Sequence, residues 1–236
     1  MLNMDWRRIE LVVFDVDGTL YDQGCLRRRM IRQLLFHCLG RPRQAAVLRM
    51  ISTYRREREQ LAEAEVDGIG ELQYRRPAER LGVEPAKLRQ VVDHWMLERP
   101  LEHLGACRYA KVADFLAALE GHGIAVAVLS DYPAEDKLRC LGLAIDCVVS
   151  ATDPEVDRLK PHPRGLQRVL ELTGVAAERA VLIGDRDDRD GECARRAGVS
   201  YLLRSSRPAT NGHEFGSFAE LERSLHSERA SNAALQ

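Results

Sequence analysis

The sequence lacks any long apolar run, which limits the classes of protein it can encode. Its longest uninterrupted apolar stretch covers 124–129, far short of the roughly 20 residues that a membrane-spanning helix needs. The first ten residues, MLNMDWRRIE, also lack the apolar segment of a signal peptide. We therefore expect a cytoplasmic protein without a membrane partner.

An excess of one charge is missing as well. Lys and Arg together number 35 against 36 for Asp and Glu, and aromatic residues make up only 6% of the chain. Proteins that bind nucleic acid combine a positive surface with aromatic rings on which bases stack. We therefore expect no nucleic-acid partner. With 236 residues, 45% of them apolar, the chain is long enough to bury a substantial core.

The cysteines are scattered, with no CxxC pair and no His at a metal-binding spacing. Such a pattern argues against a zinc site and predicts reduced thiols in a cytosol. The six positions are Cys25, Cys38, Cys107, Cys140, Cys147 and Cys193.

Short apolar runs alternate with helical patterns along most of the chain. The helical spacing is clear at Val112, Phe115, Leu116 and Leu119, which share one face of a helix. Strands separated by helices indicate βαβ units, that is, a parallel sheet covered on both faces. The predicted strands cover 9–14, 123–130, 145–150, 179–185 and 199–203.

The first predicted strand is followed by a long helical segment before the alternation begins. We predict an α/β core domain over 1–21 and 101–226, interrupted by a helical cap domain over 22–100, and a disordered tail over 227–236. An insert at this position lies over the carboxyl ends of the strands, where open parallel sheets bind their ligands.

Four polar motifs follow the apolar strands or lie in their loops. Each alone is typical of a helix cap or a solvated loop. In chain order they are Asp15 and Asp17 in DVDGTL, Ser130 at the end of VAVLS, Lys160 in RLKPHP, and Asp185 with Asp190 in GDRDDRDGE.

Together the four motifs resemble those of the haloacid dehalogenase (HAD) superfamily. Its first motif, DxDGT[LV], matches 15–20 at every fixed position. An apolar strand ending in Ser or Thr, a Lys followed by Pro, and a strand followed by GDxxxxD match the other three in order. The resemblance implies a Rossmann-like three-layer parallel sheet. The helical insert resembles the small cap of the phosphoglycolate phosphatase and β-phosphoglucomutase branch.

This resemblance also implies roles for the motif residues. Asp15 would be the nucleophile that forms an aspartyl phosphate, and Asp17 would be the general acid and base. Lys160 would neutralise the phosphate. The Ser130 hydroxyl and the backbone N–H of Asp131 would hold a phosphate oxygen.

The implied cofactor is Mg²⁺, which prefers hard oxygen ligands. Its ligands would be Asp15, Asp185, Asp190 and the backbone carbonyl of Asp17. Asp188 is an alternative to Asp190 as the outer ligand. Asp131 stands where many relatives carry Asn, which leaves the role of its carboxylate open.

These features predict a Mg²⁺-dependent phosphatase that acts on a small phosphorylated metabolite, as a monomer or homodimer. A dehalogenase is disfavoured because that branch generally lacks the acid that Asp17 supplies. A phosphomutase of the β-phosphoglucomutase type remains an alternative, and a non-catalytic binding protein is a weaker one.

The predicted cap is rich in arginine. These side chains form either a solvated outer face or, in part, a contact to a second anionic group of the substrate. They are Arg27, Arg28, Arg29, Arg32, Arg41, Arg43, Arg49, Arg55, Arg56 and Arg58.

Overall fold

The computed structural model describes residues 4–38, 45–206 and 212–233. Its centre is a sheet of six parallel strands in the order β3-β2-β1-β4-β5-β6. The strands are β1 (Leu11–Phe14), β2 (Ala125–Ser130), β3 (Cys147–Ser150), β4 (Ala180–Gly184), β5 (Ser200–Arg204) and β6 (Glu214–Phe215). The predicted strands are all present. β6 is additional, and its two residues are too few to leave a periodic signal in the sequence.

Alternate side chains of β1 enter two separate hydrophobic layers, because successive residues of a strand point to opposite faces. Val12 and Phe14 pack into the layer formed with α5 (Leu101–Cys107), α6 (Val112–Gly121), α7 (Glu135–Leu141) and α10 (Phe218–Ala233). Leu11 and Val13 pack against α8 (Arg164–Thr173) and α9 (Glu192–Ala197). The predicted three-layer α/β fold is confirmed.

The helices inserted after β1 have a small core of their own. They are α1 (Gln23–Cys38), α2 (Ala45–Glu63), α3 (Ile69–Leu81) and α4 (Pro85–Val92), which continues into a π-helical turn at Asp93–Glu98. Tyr54, Tyr74 and Leu88 are among the residues of this core. A second cluster joins Leu61 and Ile69 to Leu159, so the insert also packs on the loop that precedes α8.

Two expectations from the sequence are wrong. A disulfide joins Cys25 to Cys107, with the Cα atoms 5.8 Å apart, where we expected reduced thiols. The two cysteines lie where the chain leaves the core for the cap and shortly after it returns. They are 82 positions apart in the sequence, which is too far for local spacing patterns to predict that they pair.

The second error concerns the tail. Residues 227–233 continue α10, where we expected disorder. Glu228 accepts a hydrogen bond from the backbone N–H of Trp6, and Arg229 donates to the carbonyl of Ile9. These contacts hold the helix against the start of the chain. Residues 234–236 lie outside the described range. Within that range, no helix is both long and apolar enough to cross a bilayer.

Candidate active site

Asp15 lies directly after β1, in the centre of the sheet. Its backbone N–H donates to the carbonyl of Ile183 on β4, at 2.8 Å. The residue is 6% exposed, and its carboxylate accepts two hydrogen bonds, from Lys160 Nζ at 2.6 Å and from Thr19 Oγ1 at 2.8 Å. The side chain is therefore held in one orientation at the carboxyl edge of the sheet.

Lys160 bridges two carboxylates at this edge. Its Nζ lies 2.6 Å from an oxygen of Asp15 and 2.6 Å from an oxygen of Asp190. Burial lowers the pKa of this ammonium, but the two carboxylates more than compensate and raise it well above its usual value. Lys160 is therefore a fixed positive charge beside Asp15.

Asp190 reaches the cluster because the chain makes a π-helical turn over Asp187–Gly191. Asp190 Oδ2 accepts the backbone N–H groups of Asp185 and Arg186, each at 3.1 Å. A Cβ on Gly184 would lie 2.3 Å from Asp190 Cγ, so only glycine leaves room for this side chain. The turn thus brings an acid five residues after Asp185 back to the end of β4.

The same turn directs Asp188 away from the cluster. Asp188 is exposed, and its carboxylate pairs with Arg186 at 2.7 Å. Asp190, by contrast, is 2% exposed. Of the two candidates for an outer metal ligand, Asp190 is therefore the one that lies beside Asp15.

Asp15, Asp185 and Asp190 fit a divalent cation. One carboxylate oxygen of each lies within 4.8 Å of the others, and Mg²⁺ prefers such hard oxygen ligands. Three carboxylates beside the single ammonium of Lys160 leave two negative charges, the charge that one Mg²⁺ balances.

The pKa values of the cluster reflect this excess of negative charge. Burial, together with the charge of Asp190, raises the pKa of Asp185 to about 6. Burial likewise raises the pKa of Asp15 well above its usual value, despite the neighbouring Lys160.

Gly18 makes room for Asp185. Its φ is +102°, and a Cβ there would lie 2.1 Å from Asp185 Oδ2. A side chain would therefore both strain the backbone and displace the carboxylate. This glycine of the DVDGTL motif lets the turn after β1 pass close to the end of β4.

Asp17 has a different neighbourhood from Asp15. Both of its oxygens accept hydrogen bonds from Lys137 Nζ, at 2.7 and 2.6 Å, and the Tyr21 hydroxyl donates to one of them. Burial tends to raise the pKa of Asp17, but Lys137 and Tyr21 lower it below its usual value. Asp17 is therefore paired with the ammonium of Lys137, whereas Asp15 is paired with that of Lys160.

We did not predict a role for Lys137 from the sequence. It lies on α7 between Ala134 and Leu141, on the stripe that these residues form with Leu138. Residues three and four apart on a helix share a face, so a lysine on an otherwise apolar stripe was a usable signal. A buried lysine requires a partner, and here that partner is Asp17.

Ser130 and Asp131 shape the loop after β2. Ser130 is fully buried, and its hydroxyl accepts the backbone N–H of Tyr132 at 3.2 Å. The Asp131 carboxylate accepts the backbone N–H of Lys160 at 3.1 Å. The acid at this position therefore anchors the loop that carries Lys160. Phosphate binding by Ser130 and Asp131 stays a prediction.

A cavity of about 340 Å³ lies between this edge of the sheet and the inserted helices. Six of the charged residues on its core side form what we call the floor: Asp15, Asp17, Lys137, Lys160, Asp185 and Asp190.

Three of the cap arginines, Arg27, Arg55 and Arg58, also line the cavity. Arg58 is buried and donates to Gln73 and to the backbone carbonyl of Asp131. Arg41 and Arg43 lie outside the described residues.

Comparison with known proteins identifies the family. A sequence model of the haloacid dehalogenase-like hydrolases matches residues 9–198, so the chain belongs to this family of hydrolases, as the motifs predicted.

Two curated relatives are named as phosphatases. A phosphoserine phosphatase of Thermus thermophilus is 32% identical over 140 residues, which are 57% of this chain and 55% of that protein. The match thus spans about half the length of that relative. A phosphoglycolate phosphatase of Rhodospirillum rubrum is 29% identical over 198 residues, 82% of this chain and 78% of that protein.

Solved structures agree on the fold. The HAD hydrolase YfnB of Bacillus subtilis, crystallised with magnesium bound, superimposes with a TM-score of 0.66 and 18% identity, covering 93% of this chain and 99% of that one. At this level of identity the likeness shows the fold alone.

Proposed function

We propose that this protein is a Mg²⁺-dependent phosphatase that hydrolyses a small phosphorylated metabolite through an aspartyl phosphate on Asp15. One observation carries the proposal. Asp15 and Asp17 line the same cavity, yet Asp15 belongs to a carboxylate cluster that fits a divalent cation, whereas Asp17 is paired with Lys137. Two carboxylates in such different surroundings suit two different chemical tasks.

Asp15 would attack phosphorus with a carboxylate oxygen, and the bond from phosphorus to the leaving oxygen would break. The transferring group carries negative charge, and Lys160 lies where it would neutralise part of that charge. Mg²⁺ held by Asp15, Asp185, Asp190 and the backbone carbonyl of Asp17 would supply the remaining positive charge. Without such cations, two anions would repel each other.

Asp17 would serve both halves of the reaction. It would first give a proton to the leaving oxygen and then take one from the water that attacks the phosphorus of the aspartyl phosphate. Free phosphate would leave and Asp15 would be restored. The lowered pKa leaves Asp17 ionised in the free protein, so Asp17 would have to take up a proton when the substrate binds before it can act as the acid. The same lowered pKa suits the second half, in which the carboxylate acts as a base.

The named relatives support a phosphatase, since both act on phosphomonoesters by name. A phosphomutase would instead return the phosphoryl group to a sugar phosphate. The two reactions differ in their product, because only the phosphatase releases free phosphate in proportion to the substrate consumed.

The test is a phosphate-release assay over a panel of phosphorylated metabolites and p-nitrophenyl phosphate. We expect activity to vanish in EDTA and to return with Mg²⁺. Asp190→Asn is expected to raise the Mg²⁺ concentration that gives half-maximal activity, whereas Asp188→Asn, in the same turn, leaves it unchanged. Full turnover in EDTA would contradict the proposal, as would a stronger effect of Asp188→Asn.

A further inference from the structure

The cavity wall that faces the floor is largely apolar. We call this set the cap wall: Met30, Ile31, Leu34, Ile51, Trp95 and Met96, contributed by α1, α2 and the π-helical turn after α4. Trp95 and Ile51 are each 8% exposed, whereas Ile31 is 49% exposed. An apolar side chain of this size on a cavity wall gains stability when a ligand removes it from water.

Of the four charged residues on the cap side of the cavity, two are engaged by the protein. Glu59 pairs with Arg186 at 3.1 Å and with Arg189 at 2.5 Å, and Arg58 holds the loop after β2. Arg27 and Arg55 are exposed but also line the cavity, so they add positive charge to the cap side. The cap side thus offers a bound ligand mainly apolar contact.

Resting on the proposed function, we propose that the substrate is the phosphomonoester of a bulky, mainly apolar alcohol. The floor holds the phosphate, and the leaving group extends from Asp17 along the cap wall. A two- or three-carbon hydroxy acid would cover little of this wall. For a second carboxylate the cap side offers Arg27 and Arg55, which are exposed, and an exposed ion pair contributes little.

The test uses n-alkyl phosphates from ethyl to hexyl. Their leaving groups have nearly the same pKa, so differences along the series report the burial of methylene groups. We expect kcat/KM to rise roughly fourfold for each added methylene until the cavity is filled. We also expect hexyl phosphate to exceed 2-phosphoglycolate and phosphoserine. A flat series, or a tenfold preference for either acid, would overturn the inference and leave the phosphatase proposal intact.

A matched pair of variants tests where the alkyl chain of the substrate binds. Ile31→Ser should reduce the gain per methylene, because Ile31 lies on the cap wall. Leu172→Ser is the control, since Leu172 is similarly exposed, at 52%, but lies on α8, against the far face of the sheet. A gain that Ile31→Ser leaves unchanged would place the alkyl chain elsewhere and contradict the inference.

Binding provides a readout that does not depend on turnover. Calorimetry compares the binding of n-hexylphosphonate and phosphonoacetate. Neither is a phosphomonoester, and they carry an apolar and an acidic substituent on the same phosphonate group. We expect tighter binding of n-hexylphosphonate, by tenfold or more. If no phosphomonoester is hydrolysed but this preference holds, the proposed function fails and the apolar ligand class stands. Tighter binding of phosphonoacetate would overturn the ligand class.

Discussion

The two sides of the cavity are built in opposite ways. On the floor, each carboxylate of Asp15, Asp17 and Asp190 accepts hydrogen bonds at 3.1 Å or less, and Lys137 and Lys160 are buried. The cap wall is apolar, and one of its members, Ile31, is 49% exposed. The floor comes from strand ends, the loops and the π-helical turn beside them and, for Lys137, α7, whereas the wall comes from helices of the insert.

This difference indicates that the two sides of the cavity have different roles, one in the reaction and the other in substrate preference. Hydrogen bonds and ion pairs fix the floor residues to a narrow geometry, which suits reaction chemistry. Apolar contact on the wall is less directional and depends on the size of what it covers. We therefore expect floor variants to affect every substrate and wall variants to change which substrate is preferred.

The largest effect on this comparison is expected from Asp17→Asn. The amide keeps the size and the backbone carbonyl but cannot act as acid or base, so turnover should fall by about 10²–10⁴-fold. The loss of phosphoryl transfer to Asp15 should be smallest for esters with good leaving groups, whatever their size. Pre-steady-state assays with aryl phosphates of graded leaving-group pKa check this. If the loss of phosphoryl transfer depended instead on the size of the leaving group, the floor and the cap wall would not have separate roles.

The second prediction concerns the ion pair that holds Asp17. Lys137 and Asp17 are 8% and 17% exposed, and removing one partner of a buried pair costs about 3–5 kcal/mol. We expect Lys137→Met to lower the free energy of unfolding by this order. In the Asp17→Asn background the same change should cost much less, because no unpaired carboxylate remains.

The chain offers a matched control for this cycle. Lys111 and Asp114 form an ion pair of similar length, 2.7 Å, but are 53% and 52% exposed. An exposed pair contributes about 0–1 kcal/mol, so the cycle of Lys111→Met and Asp114→Asn should give a coupling near zero. Urea unfolding measures both cycles. Equal couplings would mean that the Lys137–Asp17 pair contributes no more than an exposed pair.

A smaller effect is expected from Gly18→Ala. The added methyl group would displace the Asp185 carboxylate, and a residue that orients a metal ligand typically changes metal affinity by about 10–100-fold. The Mg²⁺ concentration for half-maximal activity should rise by that factor. Gly82→Ala is the control, because Gly82 also has a positive φ, of +65°, but no neighbour within 4 Å of an added Cβ. A Gly18→Ala variant with unchanged Mg²⁺ dependence would show that backbone strain alone matters there.

The sequence predicts the sheet and most of the floor because both leave local signals. Buried strands appear as apolar runs. Within short motifs, Asp15 and Asp185 follow such runs, and Lys160 precedes a helix. The sequence already favours Asp190 over Asp188 as the outer ligand, but the position of Asp190 beside Asp15 needed the structure. This position depends on a π-helical turn, whose extra residue leaves no periodic signal in the sequence.

The features that were missed depend on distant contacts. Lys137 meets Asp17 across 120 positions, and Cys25 meets Cys107 only because the insert begins and ends at the same edge of the core. The helix over 227–233 is stabilised by Trp6 and Ile9 at the other end of the chain. In each case the partner, not the local pattern, determines the structure.

In the proposed mechanism, Asp15 carries the phosphoryl group while Asp17 acts on the leaving group and on water. The most direct measurement is intact-mass analysis of Asp17→Asn after mixing with p-nitrophenyl phosphate and Mg²⁺. Transfer to Asp15 should proceed, because this leaving group needs little protonation, while hydrolysis lacks its base. We predict a single phosphate adduct that peptide mapping assigns to Asp15 and that Asp15→Asn abolishes. An adduct on another residue, or normal turnover in Asp15→Asn, would contradict the account.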